Sequence, residues 1–113
     1  MIRFDMALRE WGTPAFATVL KEEIERLDPD LLPLQQGLAR SSSVAPGAPT
    51  AMVIGASADG GSIRARAGIF YAGIIAGCSC ADDPTPVDQI DEYCEIEITI
   101  YRVSGTATIA LLP

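Results

Sequence analysis

The chain opens on an alternation. In residues 1–10, MIRFDMALRE, the side chains of Ile2, Phe4, Met6 and Leu8 share one side and Arg3, Asp5 and Arg9 the other. A period of two predicts a half-buried strand. After Thr13 the period lengthens. Phe16, Val19, Leu20, Ile24 and Leu27 recur at helical spacing, with Lys21, Glu22, Glu23, Glu25 and Arg26 on the opposite side. This predicts an amphipathic helix. Thr13 suits its N-cap and Pro14 its first position, and Pro29 stops it near Leu27 or Asp28. Leu31, Leu32, Leu34 and Leu38 follow as a short helix or an extended segment. Residues 40–50, rich in Ser, Pro and Gly, read as a mobile surface loop.

Two hairpins complete the pattern. Asp59, Gly60 and Gly61 carry turn chemistry. With Gly60 and Gly61 as the loop, Ile54 falls opposite Ala67 and Met52 opposite Ile69. Met52, Ile54, Ala56, Ile63, Ala65, Ala67 and Ile69 then share an apolar face, and Ser57, Arg64 and Arg66 a polar one. Gly73 suggests a bulge or bend. In the second hairpin Cys94, Ile96, Ile98 and Ile100 alternate with Glu95, Glu97, Thr99 and Tyr101. A loop at Ser104 and Gly105 places Ile100 opposite Ile109. One helix and about five strands, the four that pair as hairpins necessarily antiparallel, predict a single α+β domain over residues 1–113. Its expected form is two layers, a mainly antiparallel sheet with the helix on one face.

Composition narrows the function classes. The chain has 113 residues, eight Lys+Arg against 15 Asp+Glu, and a net charge of -7. Such a surface repels phosphate backbones, so neither nucleic acid nor an anionic membrane is an expected partner. The longest mostly apolar stretch, residues 67–80, is too short to span a bilayer. The N-terminal alternation is unlike a secretory signal, and three cysteines, an odd number, fit a reducing compartment. A cytoplasmic location is therefore expected. With no histidine, Ser-His-Asp and Cys-His catalysis are excluded.

All three cysteines fall within residues 77–94, GCSCADDPTPVDQIDEYC, together with five acids. Cys78 and Cys80, if extended, share a face with their Cα atoms about 6.6 Å apart. With Cys94 they offer thiolates to zinc, and Asp82 or Asp83 a fourth ligand. The competing reading makes the thiols small packing residues, since Cys94 shares the strand face of Ile96, Ile98 and Ile100. The acids likewise read either as cation ligands or as a solvated loop. The segment IAGCSCADDPTP…EYC resembles one in small bacterial proteins without assigned activity. That resemblance reaches the C-terminal half and implies no function for any residue.

The leading expectation is a small non-enzymatic binding or interaction protein without a cofactor. The alternatives are a zinc protein using Cys78, Cys80 and Cys94 with Asp82 or Asp83, and a small enzyme using acidic or thiol chemistry in the 77–94 loop. The N-terminal segment has few features that protect a sheet edge, and residues 68–75, GIFYAGII, are apolar on both sides. A homodimer is expected to bury that surplus, and another protein is a further expected partner.

Overall fold

The computed structural model describes residues 2–75 and 89–113. Six strands form one antiparallel sheet: β1 (Ile2–Arg3), β2 (Ser43–Val44), β3 (Thr50–Asp59), β4 (Ser62–Ile74), β5 (Gln89–Tyr101) and β6 (Thr106–Leu111). Their order is β1-β6-β5-β4-β2, and β3 lies beside β4 on the same flank as β2. Two helices, α1 (Asp5–Arg9) and α2 (Phe16–Arg26), and a 3₁₀ turn at Pro29–Leu31 complete the fold. It is the expected α+β arrangement, with one main helix packed on a largely antiparallel sheet.

The spine is the pairing of β4 with β5, unbroken from Ser62 opposite Tyr101 to Ile74 opposite Gln89. Strict alternation makes this spine. Ile63, Ala65, Ala67 and Ile69 of β4 and Ile96, Ile98 and Ile100 of β5 are all buried on one face. Helix α2 lays Phe16, Leu20 and Ile24, spaced by four, into that face. Ala65 and Ala67 are small, which leaves room for these larger side chains. Each fully buried Leu or Ile contributes about 1.5–3 kcal/mol by leaving water.

Glutamates of α2 fasten this layer to its surroundings. Glu23 accepts a hydrogen bond from the Ala7 amide, drawing α1 onto α2. Glu25 accepts from the Ala51 amide at 2.9 Å and from Lys21 Nζ at 2.7 Å, tying α2 to β3.

Several details differ from expectation. The N-terminal strand stops at Arg3, and residues 5–9 are helical. Phe4, Ala7, Leu8 and Trp11 also fit helical spacing, and burying Phe4 and Ala7 against α2 favours that alternative. Met6, predicted inward, is exposed. Helix α2 begins two residues after Pro14. Thr13 serves the preceding turn instead, its hydroxyl accepting from the Ala15 amide and donating to Glu10. The Ser/Pro/Gly stretch contains β2, which pairs Val44 with Gly73. Gly73 lies in regular strand. It is small because the Ser41 side chain occupies the space a Cβ would need.

Both hairpin turns form, but both registers need correction. Gly60 takes φ +57° at the first turn position, as a type II′ turn requires, and Asp59 pairs with Ser62. Ala56 faces Ala65 as expected. A bulge then intervenes, so that Val53, not Ile54, faces Ala67, and Met52 faces Gly68. The added residue reverses the faces beyond it: Ala51 is buried, while Met52 and Ile54 are exposed. In the second hairpin the loop spans residues 102–105, and Ile100 faces Ala107 while Ile98 faces Ile109. The slip is two residues, so every side chain keeps its predicted face.

Candidate functional site

Of the sequence-predicted ligands, Cys78, Cys80, Asp82 and Asp83 lie outside the described residues. Cys94 is buried on the inner face of β5, opposite Ile69. Gly37 covers it so closely that an added Cβ would lie 2.8 Å from the Cys94 Cβ. Tyr71 closes another side and donates its hydroxyl hydrogen to the Leu34 carbonyl at 2.7 Å. Burial pushes the Cys94 thiol above its ordinary pKa, a tendency its contact with Tyr71 partly offsets. Cys94 is thus held as a neutral packing group rather than an activated nucleophile. Among the described residues no three Cys, Asp or Glu side chains gather as metal ligands.

A neighbouring residue is placed more unusually. Glu92, two positions before Cys94 and on the same inner face, is only 4% exposed. Its Oε1 accepts from the Ala39 amide at 3.0 Å. Its Oε2 accepts from the Arg40 amide at 3.0 Å, the Ser41 amide at 2.8 Å and the Ser41 hydroxyl at 2.7 Å. These donors, the Ala39 amide foremost, hold the carboxyl down at a pKa of about 2, against the cost of burial. Arg40 adds a bond from its guanidinium to the Asp91 carbonyl at 2.8 Å. The carboxylate is saturated with donors, so its role is to bind residues 39–41 to the sheet. The sequence pattern leaves Glu92, with the other acids of its run, as either a cation ligand or a solvated loop residue. Its parity with Cys94, Ile96, Ile98 and Ile100 marks it as inward-facing.

The outer face of the sheet is different in character. Phe70 and Tyr93, register partners on β4 and β5, stack at 4.8 Å between ring centroids. They remain 46% and 40% exposed. Met52 lies close by on β3, opposite Gly68. Arg66 binds Glu95 through Nε at 2.9 Å, and Tyr93 donates to the same carboxylate at 2.9 Å. An arginine of β4 thus pairs with a glutamate of β5 across the strands. Both bonds lower the Glu95 pKa. The ion pair is partly exposed, so water and salt screen it and it adds little to stability.

Cavities near these groups do not assemble acid–base chemistry. One, about 560 Å³, is lined mainly by leucines and prolines of residues 29–36, with Asp30 its charged member. A second, about 480 Å³, adjoins Cys94 and Glu95 beneath the C-terminal residues Leu111–Pro113. Its thiol is disfavoured as a thiolate, and its carboxylate already accepts from Arg66 and Tyr93. What these residues offer most directly is surface for contact: an aromatic pair, a methionine and opposite charges on one open sheet face. No family model, curated protein or solved structure matches this chain.

Proposed function

We propose that this chain is a small cytoplasmic interaction protein that works as a homodimer through the outer face of its sheet. The exposed Phe70–Tyr93 pair on β4 and β5 carries the proposal. Aromatic side chains give large contact area for little lost conformational freedom and are enriched at interfaces. No described element packs over them as α2 packs over the inner face.

The register favours a second copy as the occupant. On the outer face Arg66 sits opposite Glu97 and Phe70 opposite Tyr93. A twofold axis between β4 and β5, parallel to both, lays each β4 over the other copy's β5. Phe70 then covers the second copy's Tyr93, and Arg66 approaches its Glu97, and reciprocally. Two sheets packed in this way lie about 10 Å apart with strands about 30° from parallel, within reach of these side chains. The patch is self-complementary, as an isologous interface requires.

Sedimentation velocity over a wide concentration range tests this reading. The native chain is expected to dimerise, and Phe70→Glu to shift it to monomer with an unchanged circular dichroism spectrum. Glu97→Arg should weaken the dimer and Arg66→Glu with Glu97→Arg restore it. A native chain that stays monomeric at the highest concentrations refutes the proposal.

A further inference from the structure

Among the described residues no strand pairs with the outer edge of β3, and we propose that this edge binds an extended polypeptide segment. The segment adds to the sheet by main-chain hydrogen bonds and seats one bulky apolar side chain against Trp11, Phe16 and Ile54. Three observations converge on it. They concern the sheet's edge and inner side, so the proposal goes beyond the outer-face interface and does not depend on it.

The first is the edge itself. Alternate residues of an antiparallel strand direct their amide and carbonyl groups away from the neighbour. Ala51 is one of these, since its amide meets Glu25 of α2 rather than β4. The same alternation turns Val53 outward. Counted back from the Asp59–Ser62 pair, it also turns out Ala56 and Ala58. These three residues donate or accept no outward backbone bond among the described residues. The Glu25 carboxylate stands where an added strand would bring a carbonyl, and so marks one end of the open stretch.

The second is how little protects the edge beyond the bulge at Ile54. Gly55, Ala56, Ser57 and Ala58 are exposed and carry small side chains. There is no lysine or proline along β3 to repel an incoming strand. The bulge at Ile54 re-aims the strand at the near end of this stretch.

The third is a cavity of about 320 Å³ beside the edge, lined by residues that include Trp11, Pro14, Phe16, Val53 and Ile54. Trp11 and Phe16 meet edge to face at 4.9 Å and form its aromatic wall. In strand addition the backbone supplies affinity, and pockets for alternate side chains supply selectivity. This cavity is positioned for one such side chain.

The occupant is a foreign segment rather than a second β3. A second β3 paired antiparallel across the same open stretch would set its Gly55, Ala56, Ser57 and Ala58 against this one, too small to fill the cavity. Charge refines the choice. The chain carries -7 overall; Glu10 accepts from Thr13, which lines the cavity, and Asp59, 4.0 Å from Arg64, ends β3. The segment therefore carries basic residues on either side of its apolar anchor.

The probe is a short blocked peptide with phenylalanine at its centre, threonines beside it and a lysine at each end. Trp11 is the chain's single tryptophan, so its emission reports directly on the cavity. Saturable change in that emission is expected, with amide shifts at Val53, Ala56 and Ala58 in NMR spectra. N-methylation of the probe amides of one parity should weaken binding by about tenfold or more, through lost hydrogen bonds, and of the other parity scarcely at all. Replacing phenylalanine by alanine, or the lysines by glutamates, should weaken it as well. Ala56→Pro removes an edge donor at a position where proline is tolerated and should abolish binding. If that variant does not fold, the N-methylated pair decides. No saturable change, equal effects of both parities, or tighter binding of the glutamate probe overturns the proposal. An emission change that follows protein concentration without probe also overturns it, in favour of pairing between two β3 edges.

Discussion

Glu92 of β5 takes both the amide and the hydroxyl of Ser41 on a single carboxylate oxygen, at 2.8 and 2.7 Å. With the Ala39 and Arg40 amides, this joins an irregular segment to the sheet by one side chain. A buried carboxylate needs this many donors to remain ionised.

Glu92→Gln is expected to destabilise the protein by about 3 kcal/mol, because an amide NH₂ then faces buried donors. Chemical denaturation measures this. The pH dependence has a definite sign. The folded carboxyl lies near 2, below its ordinary 4.5. Its contribution is therefore fully present above about 4.5 and is lost as pH falls toward 2. The variant should lack that part of the acid sensitivity. A variant as stable as the native chain at pH 7 contradicts the assignment.

Glu23 is expected to behave in the opposite way. Burial raises its pKa, although it too accepts a backbone bond, from Ala7. Its ionised form is thus disfavoured by folding, and its stabilising contribution declines as pH rises through the raised folded value. Glu23→Gln should cost less than Glu92→Gln at pH 7 and should flatten the pH dependence above 4.5. Paired denaturation curves at pH 4 and pH 7 distinguish the two glutamates.

These assignments show what sequence pattern could carry. The helix stripe Phe16–Leu20–Ile24 and the isoleucines of β4 and β5 were legible because burial there follows one unbroken period. The second hairpin slipped by two residues without consequence, since parity survived. The first failed beyond Ile54 because a single extra residue reverses parity, and no local signal marks it. Residues 2–9 satisfied two periods at once, and only packing of Phe4 and Ala7 against α2 selects helix. The partners of Glu92 lie more than fifty positions away in sequence, so its role depended on the tertiary fold. Its inward parity was nevertheless visible.

Cys94 should alkylate slowly in the folded chain and quickly once unfolded, because it is buried and its pKa is raised. Mass spectrometry of labelled peptides over time measures each thiol separately. Cys94→Ala should cost on the order of 1 kcal/mol. Gly37→Ala should cost more, about 2 kcal/mol, because its new methyl group meets the Cys94 Cβ and the Tyr71 hydroxyl. Rapid labelling of Cys94 before unfolding would remove the basis for treating it as a packing residue.

Ile54 offers a test of the bulge. Val53 faces Ala67 and Gly55 faces Arg66, so Ile54 is the one residue of β3 without its own partner on β4. Deleting it joins two stretches that are already in register with β4. The shortened chain should therefore fold with the same pairing of Ala51 with Ile69 and Ala56 with Ala65. Its stability should change by no more than about 1 kcal/mol, because Ile54 is 48% exposed and gives up little buried area. The edge should change more than the core. Without the bulge β3 loses a local twist and runs flatter, which favours strand-to-strand association. Backbone contacts from NMR would show whether the register is kept, and light scattering whether aggregation rises. If the deletion instead shifts Ala51 away from Ile69, then Ile54 sets the register of the whole strand and is not an insertion within it.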